Sequence, residues 1–167
     1  MKNKRPTWKE IIAFAVGDGG CNLVWTTIGS YLTLYYTDSV GLAAATIGNM
    51  MLLTRLLDGI SDLIMGSIID RTHTRWGKAR PWILWTALPM GIGLVIMFSI
   101  PKGLSDGGKL TYAVITYILM AVVVYTACNL AYNTLLSLEA PDPKDRVTMS
   151  SIRFFVTMSV LSLIHIS

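Results

Sequence analysis

Residues 110–138 read LTYAVITYILMAVVVYTACNLAYNTLLSL, an apolar run that contains no charged side chain. Crossing the roughly 30 Å hydrocarbon core of a bilayer takes about 20 helical residues, and this run exceeds that length. Of the 167 residues in the chain, 53% are hydrophobic and only 14% are charged, whereas a soluble domain carries about a quarter charged residues. The sequence therefore predicts an all-α integral membrane protein.

Three further apolar runs reach a similar length, and a fifth is incomplete. The predicted helices cover approximately residues 11–36, 46–69, 81–100, 110–138 and 154–167. The last run leaves roughly a dozen residues after Phe155, too few to cross a bilayer. A helix that ended inside the bilayer would leave carbonyl groups unpaired. We therefore expect residues 1–167 to form a single, truncated transmembrane domain, and we interpret the final LSLIHIS as a candidate assembly or vector artefact.

The basic residues fall mostly on alternate connectors between the runs. One predicted side carries Lys2, Lys4, Arg5, Lys9, Arg71, Arg75, Lys78, Arg80, Lys144, Arg146 and Arg153. The other side carries only Lys102 and Lys109, and Arg55 lies inside the second run. Because cytoplasmic loops hold the excess of Lys and Arg, the N-terminus is predicted to be cytoplasmic. Nucleic acid is excluded as a partner, since no basic helix face accompanies the net charge of +4.

The second run contains three charged side chains, Arg55, Asp58 and Asp62. Steps of three and four residues place them on one face of an α-helix. Each ionised side chain at mid-bilayer costs at least about 2.5–3.5 kcal/mol, so this face must meet a protein interior or a wet cavity. If Arg55 neutralises one acid, the remaining negative charge requires a proton or a small cation. We predict an H⁺ or Na⁺ site, and a static ion-pair network between helices is the alternative.

Polar stripes also occur on the first and fourth runs. The stripe residues are Asp18, Asn22 and Thr26 with Trp25 beside them, and Tyr125, Asn129 and Asn133 with Thr126 and Tyr132. Amides, hydroxyls and aromatic faces are the groups that bind the hydroxyls and the C–H face of a sugar. We predict one sugar-binding cavity lined by these stripes and by the charged face; hydrogen bonding between helices is the alternative. For Asp18, the alternative to lining the cavity is an ion pair with a basic residue of a loop.

Residues 70–82, DRTHTRWGKARPW, form the most specific stretch of the chain. An acid that ends the second helix, followed by a basic Trp-Gly-Lys turn that leads into Pro-Trp, resembles the cytoplasmic loop of the glycoside-pentoside-hexuronide:cation symporters of the major facilitator superfamily. Further matches are YYTDSVGL at 35–42, RLLDGISD at 55–62 and RFF at 153–155. The resemblance implies the N-terminal part, about four and a half transmembrane helices, of a twelve-helix transporter.

The resemblance also implies roles for individual residues. The implied coupling-cation ligands are Asp58, Asp62 and Thr126, and the implied sugar-site residues include Tyr125 and Arg153. Asn22, Asn129 and Asn133 stand where the melibiose branch has two aspartates and a stacking tryptophan. These departures point away from a neutral galactoside and towards a glucuronide or a pentoside. The implied latch, which opens during alternating access, comprises Asp70, Arg71, Arg75, Lys78 and Arg80.

The sequence thus predicts a secondary active symporter of the bacterial cytoplasmic membrane that takes up a glycoside, pentoside or hexuronide with Na⁺ or H⁺. No other cofactor is predicted, and Cys21 and Cys128 are interpreted as buried thiols. The predicted partners are the sugar, the bilayer and a missing C-terminal helix bundle, without which we expect no transport. An intramembrane enzyme is a less favoured alternative, because an aspartyl pair needs its acids on two facing helices. A structural or assembly subunit is another.

Overall fold

The computed structural model describes residues 6–101 and 103–166, which contain helices and no strand. Five helices follow one another: α1 (Trp8–Ser39), α2 (Ala44–Arg71), α3 (Arg80–Met97), α4 (Asp106–Glu139) and α5 (Pro143–Ile166). The predicted all-α fold class is confirmed. The basic residues Lys2, Lys4, Arg5 and Lys102, and Ser167 at the end of the expected artefact, lie outside the described residues.

Capping hydrogen bonds mark the starts of α1 and α4. Glu10 Oε2 accepts a hydrogen bond of 2.7 Å from the Thr7 amide at the start of α1. Ser105 Oγ accepts one of 3.3 Å from the Gly108 amide at the start of α4. Gly41, with a φ of +82°, follows the end of α1 in a backbone conformation that favours glycine. In contrast, α3 ends at Met97, short of the predicted residue 100.

The predicted start of the fifth helix near residue 154 is wrong. α5 begins at Pro143 and has 24 residues, but its first turns are polar, and it is not among the described helices that are long and apolar enough to cross a membrane. Proline is favoured in the first helical turn, and Asp142 Oδ1 accepts a hydrogen bond of 2.9 Å from the Lys144 amide. Hydropathy missed this start because the first turns of α5 are polar. Arg153, assigned above to the cytoplasmic side, consequently lies within a helix.

Three of the described helices, α1, α3 and α4, are long and apolar enough to cross a membrane. α2 has 28 residues, but Arg55, Asp58 and Asp62 interrupt its apolar character. Large apolar side chains cover the outside of the bundle; Leu63 is 76% exposed and Leu88 is 72% exposed. An apolar surface of this extent requires contact with lipid or with more protein.

α4 packs against all four other described helices, and α1 packs along the length of α5. The fully buried side chains in the core of the bundle include Leu32, Tyr36, Ile47, Met97, Met120 and Met149. A Cβ atom at Gly17 would collide with the Tyr132 hydroxyl, so glycine at this position permits the close approach of α1 and α4. The packing therefore brings one face of α1, α2 and α5 to the central helix.

A π-helical segment, Leu119–Tyr125, interrupts α4 near its middle. Thr126 follows it directly, and its hydroxyl donates a hydrogen bond of 3.2 Å to the carbonyl of Ala121, five residues earlier. Such π-helical turns are rare and occur frequently at functional sites. The sequence analysis treated 110–138 as a regular helix and did not predict this segment, which changes the direction in which the following side chains point.

Candidate functional site

α1, α2 and α4 line a mainly polar cavity of about 270 Å³, which we call the acidic cavity. Its lining residues are Trp25, Arg55, Asp58, Asp62, Ala121, Tyr125, Thr126 and Asn129. The cavity therefore brings together the three residues expected to hold the cation and three of those expected to bind the sugar. Helix packing is needed for this arrangement, because the lining residues come from three separate segments of the chain.

Asp58 has an unusual environment in the acidic cavity. Its Oδ1 atom is buried and has no hydrogen-bond partner among the described residues. Asp62, one helical turn further along α2, has an exposed side chain. Buried polar atoms in proteins are nearly always hydrogen-bonded, so an unpartnered carboxylate oxygen calls for a proton, an ordered water or an ion beside it.

Hydroxyl groups lie beside the two acids. Ser61 Oγ is within hydrogen-bond distance of both the Asp58 carbonyl, at 3.2 Å, and Thr126 Oγ1, at 3.4 Å. Because the Thr126 hydroxyl donates its proton to Ala121, its oxygen is left as an acceptor that faces Ser61. Carboxylate and hydroxyl oxygens are hard donors, which suit a proton or an alkali cation better than a soft metal.

Arg55 lies over Trp25, with its guanidinium carbon 5.8 Å from the ring centroid, a cation–π arrangement. The sequence analysis considered Arg55 as a neutralising partner for one acid. Among the described residues, however, it forms no direct ion pair with Asp58 or Asp62. Its charge therefore acts on the acids through space, and both carboxylates keep their oxygen atoms available.

Trp25 and Tyr125 stack across the boundary between α1 and α4, with ring centroids 4.1 Å apart and planes inclined by 14°. Each ring therefore covers one face of the other. Offset stacking of this kind contributes about 0.5–1.5 kcal/mol beyond the burial of the two rings. The stack joins the two helices beside the acidic cavity, and Arg55 also lies over the Trp25 ring.

A second cluster, the Asp18–Arg153 network, connects α1, α4 and α5. Arg153 Nε donates to Asp18 Oδ2 at 2.6 Å, and Asp18 is 2% exposed. Asn22 Nδ2 also donates to Asp18 Oδ2, at 2.9 Å. Arg153 Nη1 donates to Asn133 Oδ1 at 3.1 Å, and Asn133 Nδ2 donates to Asn129 Oδ1 at 3.4 Å.

This network settles the partner of Asp18. The alternative that Asp18 pairs with a loop base is wrong, because its partner Arg153 lies within α5. Asn129 belongs to the network and also lines the acidic cavity. The two clusters are thus continuous through one side chain on α4.

The five loop residues expected to form the latch do not act as one cluster. Arg80 Nη2 donates to Glu139 Oε1 at 2.9 Å and thereby joins α3 to the end of α4. Lys78 Nζ lies 4.0 Å from Asp70 Oδ1 within the loop. Arg75 lies over the ring of Trp76 at 5.1 Å. Arg71 contributes its carbonyl to a contact of 2.8 Å with His73 Nδ1.

Two contacts were missed by the sequence analysis. Glu139 is the acid that holds Arg80, and its position at the end of a long apolar run was a signal for a basic partner in a connector. Cys21 and Cys128 are free thiols that lie beside each other on α1 and α4. No spacing rule predicts that thiol contact, since more than one hundred positions separate the residues in the sequence.

Comparison with known proteins assigns the chain to a family. Residues 13–167 match the family model described as MFS/sugar transport protein. The inner membrane symporter YicJ of Escherichia coli (strain K12) is 42% identical over 92% of this chain and 33% of its own length. The isoprimeverose transporter of Lactiplantibacillus pentosus is 39% identical over 93% of this chain and 32% of its own length.

The glucuronide carrier protein homolog of Escherichia coli (strain K12) is 32% identical over 90% of this chain and 33% of its own length. The chain therefore spans about a third of the length of the curated relatives it matches. These relatives are transporters rather than enzymes, which sets aside the intramembrane enzyme. On the strength of the family match and the agreement with its motifs, the chain belongs to the MFS/sugar transport protein family, within which it resembles the glycoside-pentoside-hexuronide:cation symporters.

Proposed function

We propose that this chain provides the cation site and part of the sugar site of a cation-coupled sugar symporter. In this proposal Asp58, Asp62 and Thr126 bind the coupling cation, Na⁺ or H⁺. The sugar-site residues are Asp18, Asn22, Trp25, Tyr125, Asn129, Asn133 and Arg153. The names of the relatives support the class of activity, since one is a symporter and two carry a sugar or a glycoside in their names.

The observation that carries the proposal is the buried, unpartnered Oδ1 atom of Asp58 in the acidic cavity. Leaving a buried carboxylate oxygen without a partner is strongly unfavourable, so a cation or a proton there would stabilise the fold as well as bind. Asp62 and Thr126 line the same cavity and supply further carboxylate and hydroxyl oxygens. This donor set is what a coupling cation requires.

Coupling follows from the connection between the two clusters. A cation at Asp58 lowers the negative charge of the acidic cavity, which Asn129 shares with the Asp18–Arg153 network. The sugar then enters a site whose polar groups are already oriented. Alternating access would use rocking of this helix bundle against a second bundle, as in other transporters of inverted-repeat architecture. The Arg80–Glu139 pair belongs to the surface that such rocking would open or close.

The proposed location is the bacterial inner membrane, with the N-terminus in the cytoplasm. The name of the relative YicJ supports the membrane, and the excess of basic residues on one side supports the orientation. The basic loop between α2 and α3 would then be cytoplasmic. Cysteine labelling of that loop in sealed cells, compared with labelling of residue 107, tests this orientation.

A structural or assembly subunit is the competing function. In that case the polar stripes would only join helices to one another. Asp62 supports transport over this structural role, because it lines the acidic cavity with an exposed side chain and has no ion-pair partner among the described residues. Single cysteines at positions 22, 129 and 133 discriminate: labelling that sugar blocks supports a binding cavity, and absence of labelling supports the structural role.

The decisive experiment measures uphill accumulation of labelled sugar by the full-length transporter in cells, with and without a Na⁺ or H⁺ gradient. Asp58→Asn and Asp62→Asn are expected to abolish gradient-driven accumulation, because each removes one negatively charged ligand of the cation. Asp106→Asn removes the same charge from a side chain that is 95% exposed and is the matched control. Accumulation that persists in both acid variants would refute the proposed coupling site.

A further inference from the structure

We propose that Cys21 and Cys128 form a thiol-oxidation site, at which a small two-electron oxidant joins α1 to α4 through a disulfide bond. The site lies within one helix pair and requires neither a sugar nor a coupling cation, so it is independent of the proposed symport. The sequence analysis interpreted the two residues as separate buried thiols. In the folded bundle they lie beside each other, between two contacts that hold α1 against α4.

Those two contacts fix the register of α1 against α4. A Cβ atom at Gly17 would collide with the Tyr132 hydroxyl, so the tyrosine lies directly against this part of α1. About two helical turns further along α1, Trp25 stacks on Tyr125 with ring centroids 4.1 Å apart. The contact on α4 moves back by about two turns over the same stretch. The helices therefore run antiparallel, and residues midway between the contacts face each other.

The two thiols occupy this midpoint. Cys21 lies about one turn from each contact residue of α1, and Cys128 lies about one turn from each contact residue of α4. Both thiols are free, each is the neighbour of the other, and Cys128 is 1% exposed. Because the register keeps the sulfur atoms facing each other, a disulfide calls for side-chain rotation and local approach of the helices rather than sliding of one helix along the other.

The chemistry needs an oxidant, for which we name the azodicarboxamide diamide, a small uncharged molecule that enters a bilayer. The sulfur of one thiol adds to the N=N bond of diamide, and the thiol proton passes to the other nitrogen. The sulfur of the second thiol then attacks the first sulfur, so that the S–S bond forms and the S–N bond breaks. The leaving nitrogen takes the second proton. The two thiols lose two electrons and two protons, and diamide becomes the corresponding hydrazine.

The disulfide should stabilise the bundle as well as mark the contact. It would close a loop of more than one hundred residues between Cys21 and Cys128. A cross-link that closes so long a loop strongly restricts the unfolded chain. The midpoint of thermal unfolding should therefore rise when the bond forms in the folded protein, and reduction should reverse the rise.

The test treats the full-length transporter in membrane vesicles with diamide and then blocks the remaining thiols with N-ethylmaleimide. Mass spectrometry of unreduced peptides identifies the linked cysteines. We expect the peptide pair that contains Cys21 and Cys128 as a linked species formed within one chain. The purified oxidised protein should unfold at least about 4 °C above the reduced protein. Dithiothreitol should remove both the linkage and the shift.

Three variants serve as controls. Cys21→Ser and Cys128→Ser each remove one thiol, and diamide should then raise the unfolding midpoint in neither. The matched control, Cys21→Ser with Leu23→Cys, keeps the number of thiols on α1 but moves the thiol to a different face of the helix. Leu23 is 38% exposed, and a thiol at this position should form no linkage to Cys128.

The outcomes decide the inference without any measurement of transport. Linkage of Cys21 to Cys128 together with a reversible rise of the midpoint supports it. Absence of that linkage from diamide-treated wild-type protein overturns it. Linkage without a rise also overturns it, because such a bond would have formed in unfolded or distorted protein. Equally efficient linkage of Cys128 to a thiol at position 23 overturns it as well, and if a variant does not fold, the wild-type peptide map and midpoint decide.

Discussion

Asp58 and Asp18 are both acids inside the helix bundle, but their surroundings differ. Asp18 accepts hydrogen bonds from Arg153 at 2.6 Å and from Asn22 at 2.9 Å. Asp58 has a buried Oδ1 atom without a partner in the described part of the chain, and Arg55 lies over Trp25 instead of pairing with it. One acid is therefore paired inside the bundle, and the other is not.

The comparison teaches that charge alone does not identify a binding residue inside a membrane protein. Both acids would be costly at mid-bilayer, and both therefore qualify as functional candidates on sequence. The partners distinguish them. Asp18 is paired with Arg153, which also contacts Asn133 of α4, while Asp58 has no ion-pair partner among the described residues.

The largest expected effect comes from breaking the paired acid. Arg153→Gln leaves the buried charge of Asp18 without its counter-ion, which should lower the free energy of unfolding by about 3–5 kcal/mol. Thermal unfolding of the purified full-length protein measures it. The double variant Asp18→Asn with Arg153→Gln removes both charges and should recover most of the loss. If the single and the double variant are equally unstable, the ion pair is not the cause.

Asp58→Asn should behave in the opposite way. Without cation, the variant should be as stable as the wild type or more stable, because it relieves an unpartnered buried charge. In the wild type, cation at a hundred times its dissociation constant should add about 2.7 kcal/mol of stability, and the variant should lose this increment. Unfolding curves recorded over a series of Na⁺ concentrations and pH values measure it. An undiminished cation-dependent shift in Asp58→Asn would contradict the difference between the two acids.

A smaller effect is expected from the hydroxyl beside Asp58. Thr126→Val keeps the shape of the side chain but removes its oxygen, so cation affinity should fall by about 1 kcal/mol, roughly fivefold. Thr126→Ser keeps the oxygen and is the matched control. Cation titration of uptake or of thermal stability measures the change. Equal losses in the Val and Ser variants would indicate that packing, rather than the hydroxyl, matters at this position.

The smallest effect is expected at the partly exposed pair of Arg80 and Glu139, whose side chains are 58% and 17% exposed. A double-mutant cycle with Arg80→Gln and Glu139→Gln should give a coupling energy of about 0.2–1 kcal/mol. High salt should reduce it, because exposed charges are screened. A coupling energy as large as that of Asp18 with Arg153 would show that the difference in solvent exposure between the two ion pairs does not determine their strength.

Much of the fold followed from the sequence, because hydropathy and charge spacing are local properties. The apolar runs located α1 to α4, and residues 70–82, with the motifs at 35–42, 55–62 and 153–155, carried the family resemblance. The missed start of α5 has a local reason as well. A polar helical extension outside the apolar run is invisible to hydropathy, although Asp142 and Pro143 were capping signals.

The stripes of the candidate site were also visible in the sequence, but their partners were not. Periodicity placed Asp58 and Asp62 on one face of α2, and the structure lines one cavity with them and Thr126. Nothing local predicted that Arg55 would lie over Trp25, since that contact depends on how α1 and α2 pack. The π-helical segment before Thr126 was likewise not predictable from the apolar pattern.

By itself the sequence determined that this protein is helical, belongs in a membrane and carries ionisable side chains that lipid cannot accommodate. Those properties follow from composition and from the 3.6-residue period of each helix. Only the tertiary structure decided that Arg153 pairs with Asp18, 135 positions away, and that one oxygen of Asp58 has no partner. The physical reason is that the partner of a side chain depends on the rotation and the packing of whole helices, which local sequence does not specify.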